Sequence, residues 1–286
     1  MSLPYLAGEL LSPTEAVDAL EAALREGLDV DADPPRSSVA AGHGELLVMP
    51  SAAAGLGIKL VTVVPRGDPR VKGVFVLFDP ETLAPVALVD GIALTNVRTA
   101  AVSALAVRHL APDARRLVVF GTGPQARAHV AAMRAVSPIE HVGVIGRDRG
   151  RTTAFAHETG AEVATGISGA DLVVCATTAR EPLFDADEAG GATVVAIGSH
   201  EPDAREVGEL FVRRATVVVE SRASALREAG DVVMAVQAGA IGPGDLHELG
   251  ELVRGEVLIR TGPQLFKSTG MAWEDLVIAS AAYARA

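Results

Sequence analysis

The stretch Val118-Val119-Phe120-Gly121-Thr122-Gly123-Pro124-Gln125-Ala126 decides how this chain reads. The apolar run 117–120 has the length of a buried strand, and it ends in a Gly-x-Gly-x-x-Ala turn. An Ala-rich helical pattern follows, from about Pro124 to Val136. In such a strand–turn–helix unit the glycines let the backbone approach a pyrophosphate, and the helix N-terminus stabilises its charge. Gly-rich turns also end strands for purely structural reasons, so the context carries the dinucleotide reading. Loops of this kind usually open their chains, whereas here more than a hundred residues precede it. The nucleotide site is therefore attached to something already built, and the chemistry is expected there.

Downstream of the loop, strand patterns at 141–145, 172–176, 193–197 and 217–219 alternate with helical ones, among them 152–159. That alternation predicts a parallel, doubly wound α/β sheet. Upstream, Ser12-Pro13-Thr14-Glu15 caps a helix running to about Leu24, and 31–35 is an acidic, Pro-rich loop. Strand patterns then succeed one another at 45–49, 58–64, 74–79 and 87–89, with a turn at Asp79-Pro80-Glu81-Thr82. Strands without intervening helices imply an antiparallel or mixed sheet. A helix is expected from Arg98, just after Thr95-Asn96, to Leu110, with a boundary at Pro112-Asp113. The tail from Phe266 ends in another Ala-rich helix.

The 286 residues allow one large domain or two ordinary ones. With 49% hydrophobic but only 3% aromatic residues, the core must be built mostly of Ala, Val and Leu. A net charge of −11 argues against nucleic acid, which needs clustered Lys and Arg. No apolar run is long enough to span a bilayer and no basic n-region precedes Leu11, so neither a membrane nor a signal peptide is expected. The single cysteine, Cys175, suits a reducing cytoplasm and is expected to be a buried, inert thiol. Seven scattered histidines show no ligand spacing, so no metal is expected, and there is no serine-hydrolase elbow or Walker lysine.

Lys59 is the sharpest single residue. On a strand it shares one face with Val61 and Val63, while Ile58, Leu60, Thr62 and Val64 occupy the other. Desolvation disfavours such a charge unless an anion is near. It either holds a carboxylate or exchanges protons at a carbonyl or imine, or else snorkels from an edge strand. Arg98, read at a helix N-terminus, opposes the macrodipole unless an anion binds there. His200 follows the 193–197 strand at the carboxyl end of the sheet, where ligands bind in open α/β folds. Cofactor choice is read after the 141–145 strand. Gly146 stands where an acid would hold a ribose hydroxyl, and Arg147 and Arg149 follow it. NADP is thereby favoured over NAD, with Asp148 keeping NAD open.

Taken together, several segments resemble the ornithine cyclodeaminase/mu-crystallin family across nearly the whole chain. They are Pro35-Arg36, Gly44-Glu45-Leu46-Leu47-Val48-Met49-Pro50, Gly57-Ile58-Lys59-Leu60-Val61, the run from Asp90-Gly91 to Arg98-Thr99-Ala100-Ala101, and Gly121 to Ala126. Further on come Gly198-Ser199-His200-Glu201-Pro202 and Leu265-Phe266-Lys267-Ser268-Thr269-Gly270-Met271-Ala272-Trp273-Glu274-Asp275. The resemblance implies a homodimer with an α+β substrate-binding and dimerisation domain, 1–112 completed by 266–286. It also implies a Rossmann-type domain, 113–265.

By matching position, Arg36, Lys59 and Arg98 hold a substrate carboxylate, Glu45 belongs to the substrate site, and Lys59 also lies close to the reacting carbon. Gly121, Gly123, Pro124, Gln125 and Ala126 hold cofactor phosphates, while Thr177, Ala196, Ile197, Ser268 and Thr269 line the rest. True ornithine cyclodeaminases carry an aspartate where this chain has His200 and a lysine where it has Glu201, and that aspartate serves the ammonia-eliminating cycle. The resemblance therefore implies an NAD(P)-dependent oxidoreductase moving hydride to or from the α-carbon of a small imino or amino acid. Lys59, Arg98 and the weaker candidate His200 are its expected catalytic residues. A cyclodeaminase and a non-catalytic NADP-dependent binding protein are the alternatives.

Overall fold

The structure is a computed structural model that describes residues 3–64, Gly67 and 70–286. In chain order its first elements are β1 (Tyr5–Leu6), α1 (Pro13–Arg25), β2 (Ser37–Ala41), β3 (Gly44–Ser51), β4 (Leu56–Val63), β5 (Val71–Phe78), β6 (Pro85–Asp90) and α2 (Gly91–Leu110). Then come β7 (Arg116–Phe120), α3 (Pro124–Val136), β8 (His141–Ile145), α4 (Arg149–Thr159), β9 (Glu162–Val163), β10 (Leu172–Cys175), α5 (Ala186–Ala189) and β11 (Thr193–Ala196). The chain continues through α6 (Glu209–Arg214), β12 (Thr216–Val219), α7 (Arg222–Glu228), α8 (Gly230–Gln237), β13 (Leu246–Glu248), α9 (Leu249–Val253), β14 (Gln264–Lys267) and α10 (Ala272–Arg285). Two compact units result: Met1–Val102 with Gly270–Ala286, and Ser103–Thr269.

The first unit is built on a sheet ordered β1-β6-β5-β4-β3-β2, in which only the β1–β6 pair is parallel. α10 packs against β3, β4 and β5 and against α1. α1 begins with a reciprocal cap, Ser12 and Glu15 each satisfying the other's backbone N–H, with Pro13 in its first turn. Along β4 the residues Gly57, Lys59 and Val61 are buried while Leu56, Ile58 and Leu60 are half-buried and Thr62 is exposed, the period-2 signature of one covered face. β4 lies between β3 and β5, so the edge-strand reading of Lys59 fails.

α2 also corrects an expectation. It starts at Gly91, where Asp90 Oδ1 accepts the backbone N–H groups of Ile92 and Ala93. Thr95 is not a cap: its hydroxyl donates back to the Gly91 carbonyl one turn earlier. Arg98 thus sits two turns inside the helix, beyond reach of the terminal dipole.

The second unit is an all-parallel sheet ordered β13-β12-β14-β11-β10-β7-β8-β9. β7, β10, β11 and β12 are Val-rich and lie almost wholly within the core, as strands covered on both faces must be. Phe120, Phe184 and Phe211 form a stacked and edge-on aromatic series on one face. From β7 the chain winds outward through β8 and β9, then returns to lay β10 on the other side of β7. The β7/β10 border is therefore the topological switch point, where a crevice opens beyond the strands' carboxyl ends. No helix among the described residues is long and apolar enough to cross a membrane.

Candidate active site

Within the first unit, the structure gathers three cations expected from the sequence around the segment that starts α10. Lys59 Nζ donates to Asp275 Oδ2 at 2.6 Å, and both side chains are buried. Arg98 Nη1 donates to Glu274 Oε2 at 2.9 Å, and Arg98 Nε faces Asp275 Oδ1 at 3.5 Å. Arg36 Nη2 donates to the Gly270 carbonyl at 2.6 Å. Gly270 has φ +80°, and a Cβ there would fall on the Arg98 guanidinium. Only glycine lets both arginines close on this turn.

Burial lowers the Lys59 pKa to about 8; the neighbouring Arg98 charge adds to the shift, and Asp275 and Glu274 oppose it. A lysine of this kind exchanges protons near neutrality. Glu45 pairs with Val63 across the sheet while Lys59 pairs with Met49, which puts Glu45 on the face of Lys59 but four residues along β3. Its carboxylate accepts the Ser38 hydroxyl.

The second unit carries the nucleotide loop. α3 has Gly123 as its N-cap, with no side-chain cap and no acid in its first turn. Its leading N–H groups therefore suit an anion. Gly121 (φ +111°) lies so close to the Ala176 carbonyl that no Cβ fits, and a Cβ on Gly123 would meet open space. This cradle fits a dinucleotide pyrophosphate, with Pro124, Gln125 and Ala126 forming the helix's first turn. After β8, Gly146 has Thr152 Oγ1 where a side chain would go, and Arg147 is exposed. Asp148 is engaged in capping α4, its Oδ1 accepting Arg151 N at 2.8 Å.

The remaining predicted residues lie at or beyond the carboxyl ends of adjacent strands. Thr177 follows β10, Ala196 ends β11 with Ile197 next, and Ser268 and Thr269 follow β14. Ala196 is buried, so only its backbone could meet a ligand, and its carbonyl accepts Ser268 N. His200 is exposed in the loop after β11. Cys175 is buried, and burial, with Glu206 and Asp231 nearby, pushes its thiol well up.

Sequence reasoning missed the acids that hold these groups. Asp275 and Glu274 were seen only as part of a motif, and Glu206, Glu220, Asp231 and Lys267 went unassigned. Glu220 receives Ser268 Oγ and Thr269 N, at 2.6 and 2.9 Å. Lys267 pairs with Asp231 at 2.9 Å and donates to the Ser199 carbonyl. The available signal was charge set against apolar runs, as where Glu220 follows β12 and Lys267 closes β14.

The sequence pattern of the ornithine cyclodeaminase/mu-crystallin family matches residues 5–286. A Delta(1)-pyrroline-2-carboxylate reductase of Bacillus cereus is 36% identical, over 97% of this chain and 93% of its own. The ketimine reductase mu-crystallin of Rattus norvegicus is 34% identical, over 86% and 82%. The Thermococcus litoralis Delta(1)-pyrroline-2-carboxylate reductase, solved with NADH and L-proline, superposes with a TM-score of 0.90 at 30% identity, over 100% of this chain and 97% of its own. The family pattern spans almost the whole described chain and these relatives are at least 30% identical over most of their length, so the chain belongs to the ornithine cyclodeaminase/mu-crystallin family.

Proposed function

We propose that the chain is an NAD(P)-dependent imine reductase that reduces a small cyclic imino acid of the pyrroline-2-carboxylate type, with NADP preferred. The observation that carries this is Lys59, a buried lysine brought by its surroundings to a pKa of about 8. An imine must gain a proton on nitrogen as its carbon gains hydride, and Lys59 is the group able to hold that proton. Arg36 and Arg98 clamp the substrate carboxylate, and a bidentate guanidinium suits that task. Glu45 borders the substrate, and His200 is a second candidate for proton delivery. The nicotinamide, when bound, supplies the hydride.

On the cofactor side, the Gly121–Ala126 cradle takes the pyrophosphate, and Thr177, Ala196, Ile197, Ser268 and Thr269 line the remainder. Arg147 takes the 2′-phosphate, supported by the engagement of Asp148 in its cap. The names of the relatives support the substrate class. Consumption of NADPH with pyrroline-2-carboxylate, abolished in Lys59→Ala with NADPH binding retained, is the expected result. Ammonia release from ornithine with no net change in cofactor would overturn it in favour of cyclodeamination.

A homodimer is part of the same proposal. The sheet face opposite α10 carries Val48, Leu60 and Val74 in one register row and Ile58 and Val76 in the next, all only half-buried. Such a contiguous apolar face suits an isologous contact. Val74→Glu should turn a dimer into a monomer in sedimentation, and a wild-type monomer would reject the assignment.

A further inference from the structure

The second unit holds a carboxylate that the expected cofactor-lining residues do not include. Glu206 is fully buried. Its Oε1 accepts both the Thr177 backbone N–H, at 2.8 Å, and the Thr177 hydroxyl, at 2.6 Å. Its Oε2 accepts Gly198 N–H at 2.7 Å. β10 and β11 run parallel with Cys175 opposite Ala196, so Thr177 and Gly198 occupy the next equivalent positions beyond the two strands. One carboxylate therefore satisfies the backbone where the ladder parts. A Cβ on Gly198 would collide with the Thr177 carbonyl and the Glu206 carboxyl carbon, so the fit admits no side chain there.

The carboxylate is itself held. Asp231 Oδ1 accepts the backbone N–H groups of Glu206 and Val207, at 2.7 and 2.8 Å. Burial raises the Glu206 pKa, and the charge of Lys267 and the hydrogen bonds from Thr177 and Gly198 oppose that rise. Lys267, buried at the end of β14, also pairs with Asp231 and donates to the Ser199 carbonyl.

This geometry fixes the polarity of Thr177. A hydroxyl has one proton and two lone pairs. The proton goes to Glu206, and one lone pair receives Ala179 N–H at 3.1 Å. What is left can only accept. We infer that Glu206 is a positioning residue that turns the Thr177 hydroxyl into a dedicated acceptor for an N–H donor, the carboxamide of the nicotinamide ring. This rests on the cofactor reading above and deepens it. A carbonyl presented to the same lone pair would be repelled, so one of the two flips of the carboxamide, and with it one ring orientation, is selected.

The test compares binding of NADP+ with that of its 3-acetylpyridine analogue, in which a methyl replaces the carboxamide NH2. The wild-type protein is expected to prefer NADP+ by about five- to tenfold, the net worth of one hydrogen bond. Thr177→Val, which keeps the shape and removes the acceptor, should bring that ratio to about one. Glu206→Gln keeps an acceptor for Thr177 but opposes an amide NH2 to Gly198 N–H, and should lower the ratio while weakening both ligands. Rescue of the ratio by Glu206→Asp, with both variants shown by their thermal midpoints without ligand to be folded at the temperature of the binding assay, separates positioning from general destabilisation. An unchanged ratio in Thr177→Val overturns the inference even if Glu206→Gln fails to fold. Failure of wild-type protein to bind NADP+ or NAD+ overturns the cofactor reading instead.

Discussion

Lys59 and Asp275 are separated by 216 residues in the chain, yet the ammonium of one donates to the carboxylate of the other at 2.6 Å. The pair ties the middle of β4 to the first turn of α10, the last helix of the chain. Breaking such a pair by removing one partner is far costlier than its net worth when intact. Its chemical consequence is larger still, because Asp275 opposes the burial and the Arg98 charge that lower the Lys59 pKa.

Asp275→Asn should therefore lower that pKa further below about 8. The descending alkaline limb of kcat/KM should move to lower pH, and activity at pH 8 should fall about tenfold for every pH unit the limb moves. The same sign governs stability. Since the folded pKa of Lys59 lies below its unfolded 10.5, the unfolded chain binds more protons between about pH 8 and 10.5. Lys59 therefore costs stability below this window, and the cost is relieved as pH rises through it. A pH–rate profile of the variant superimposable on wild type would remove Lys59 from the reaction.

Gly270 supports the arginines rather than the lysine. Its φ of +80° costs an L-residue about 1–2 kcal/mol, and the added methyl displaces the Arg98 guanidinium. Gly270→Ala should lose at least that stability in denaturant titration and raise the KM for the imino acid about tenfold. A KM within twofold of wild type would show that Arg98 does not need this seat.

Much of this was legible in the residues. The Gly121 loop, the alternation after it and the Ala-rich α3 read correctly because each is a local pattern: apolar runs at strand length, glycine where the backbone must approach, proline at a first helical turn. Lys59 stood out because a charge among Val, Ile and Leu needs an explanation. What was illegible is non-local. Asp275 lies on a helix whose sequence says only that it is amphipathic, and nothing in the spacing from 59 to 275 says that they meet. β2 was missed because Ser37-Ser38-Val39-Ala40-Ala41 is an exposed edge strand with no alternation to read. β14 was missed because its four residues insert between β11 and β12 from far along the chain. Arg98 was assigned the wrong electrostatics because Thr95-Asn96 imitates a helix cap in sequence, and the true start, Asp90-Gly91, hides at a strand end.

The proposed preference for NADP makes its own prediction. Asp148 is engaged as the α4 cap, whereas Arg147 is exposed one residue earlier. Arg147→Ala should weaken NADPH about tenfold while leaving NADH within about twofold, because only the former carries the 2′-phosphate. Equal losses for the two cofactors would assign Arg147 to the shared pyrophosphate.

The last prediction concerns His129, on α3 behind the nucleotide loop. It is wholly buried, with Nδ1 2.8 Å from the Gln125 carbonyl and Nε2 3.0 Å from Ser103 Oγ. A carbonyl can only accept, so Nδ1 carries a proton, and in the neutral ring that burial favours Nε2 receives the serine hydroxyl. Burial lowers its pKa from 6.5 to about 4 against the weaker pull of the Gln125 carbonyl. Between these values the unfolded chain binds a proton that the folded chain refuses, so stability falls as pH drops from about 6.5 towards 4. The loss reaches about 3 kcal/mol at pH 4. His129→Gln removes this contribution, so the stability gap between wild type and variant should narrow by that amount between pH 7 and 4. A gap independent of pH would mean that the ring titrates alike in the folded and unfolded chain, and that burial does not hold it neutral.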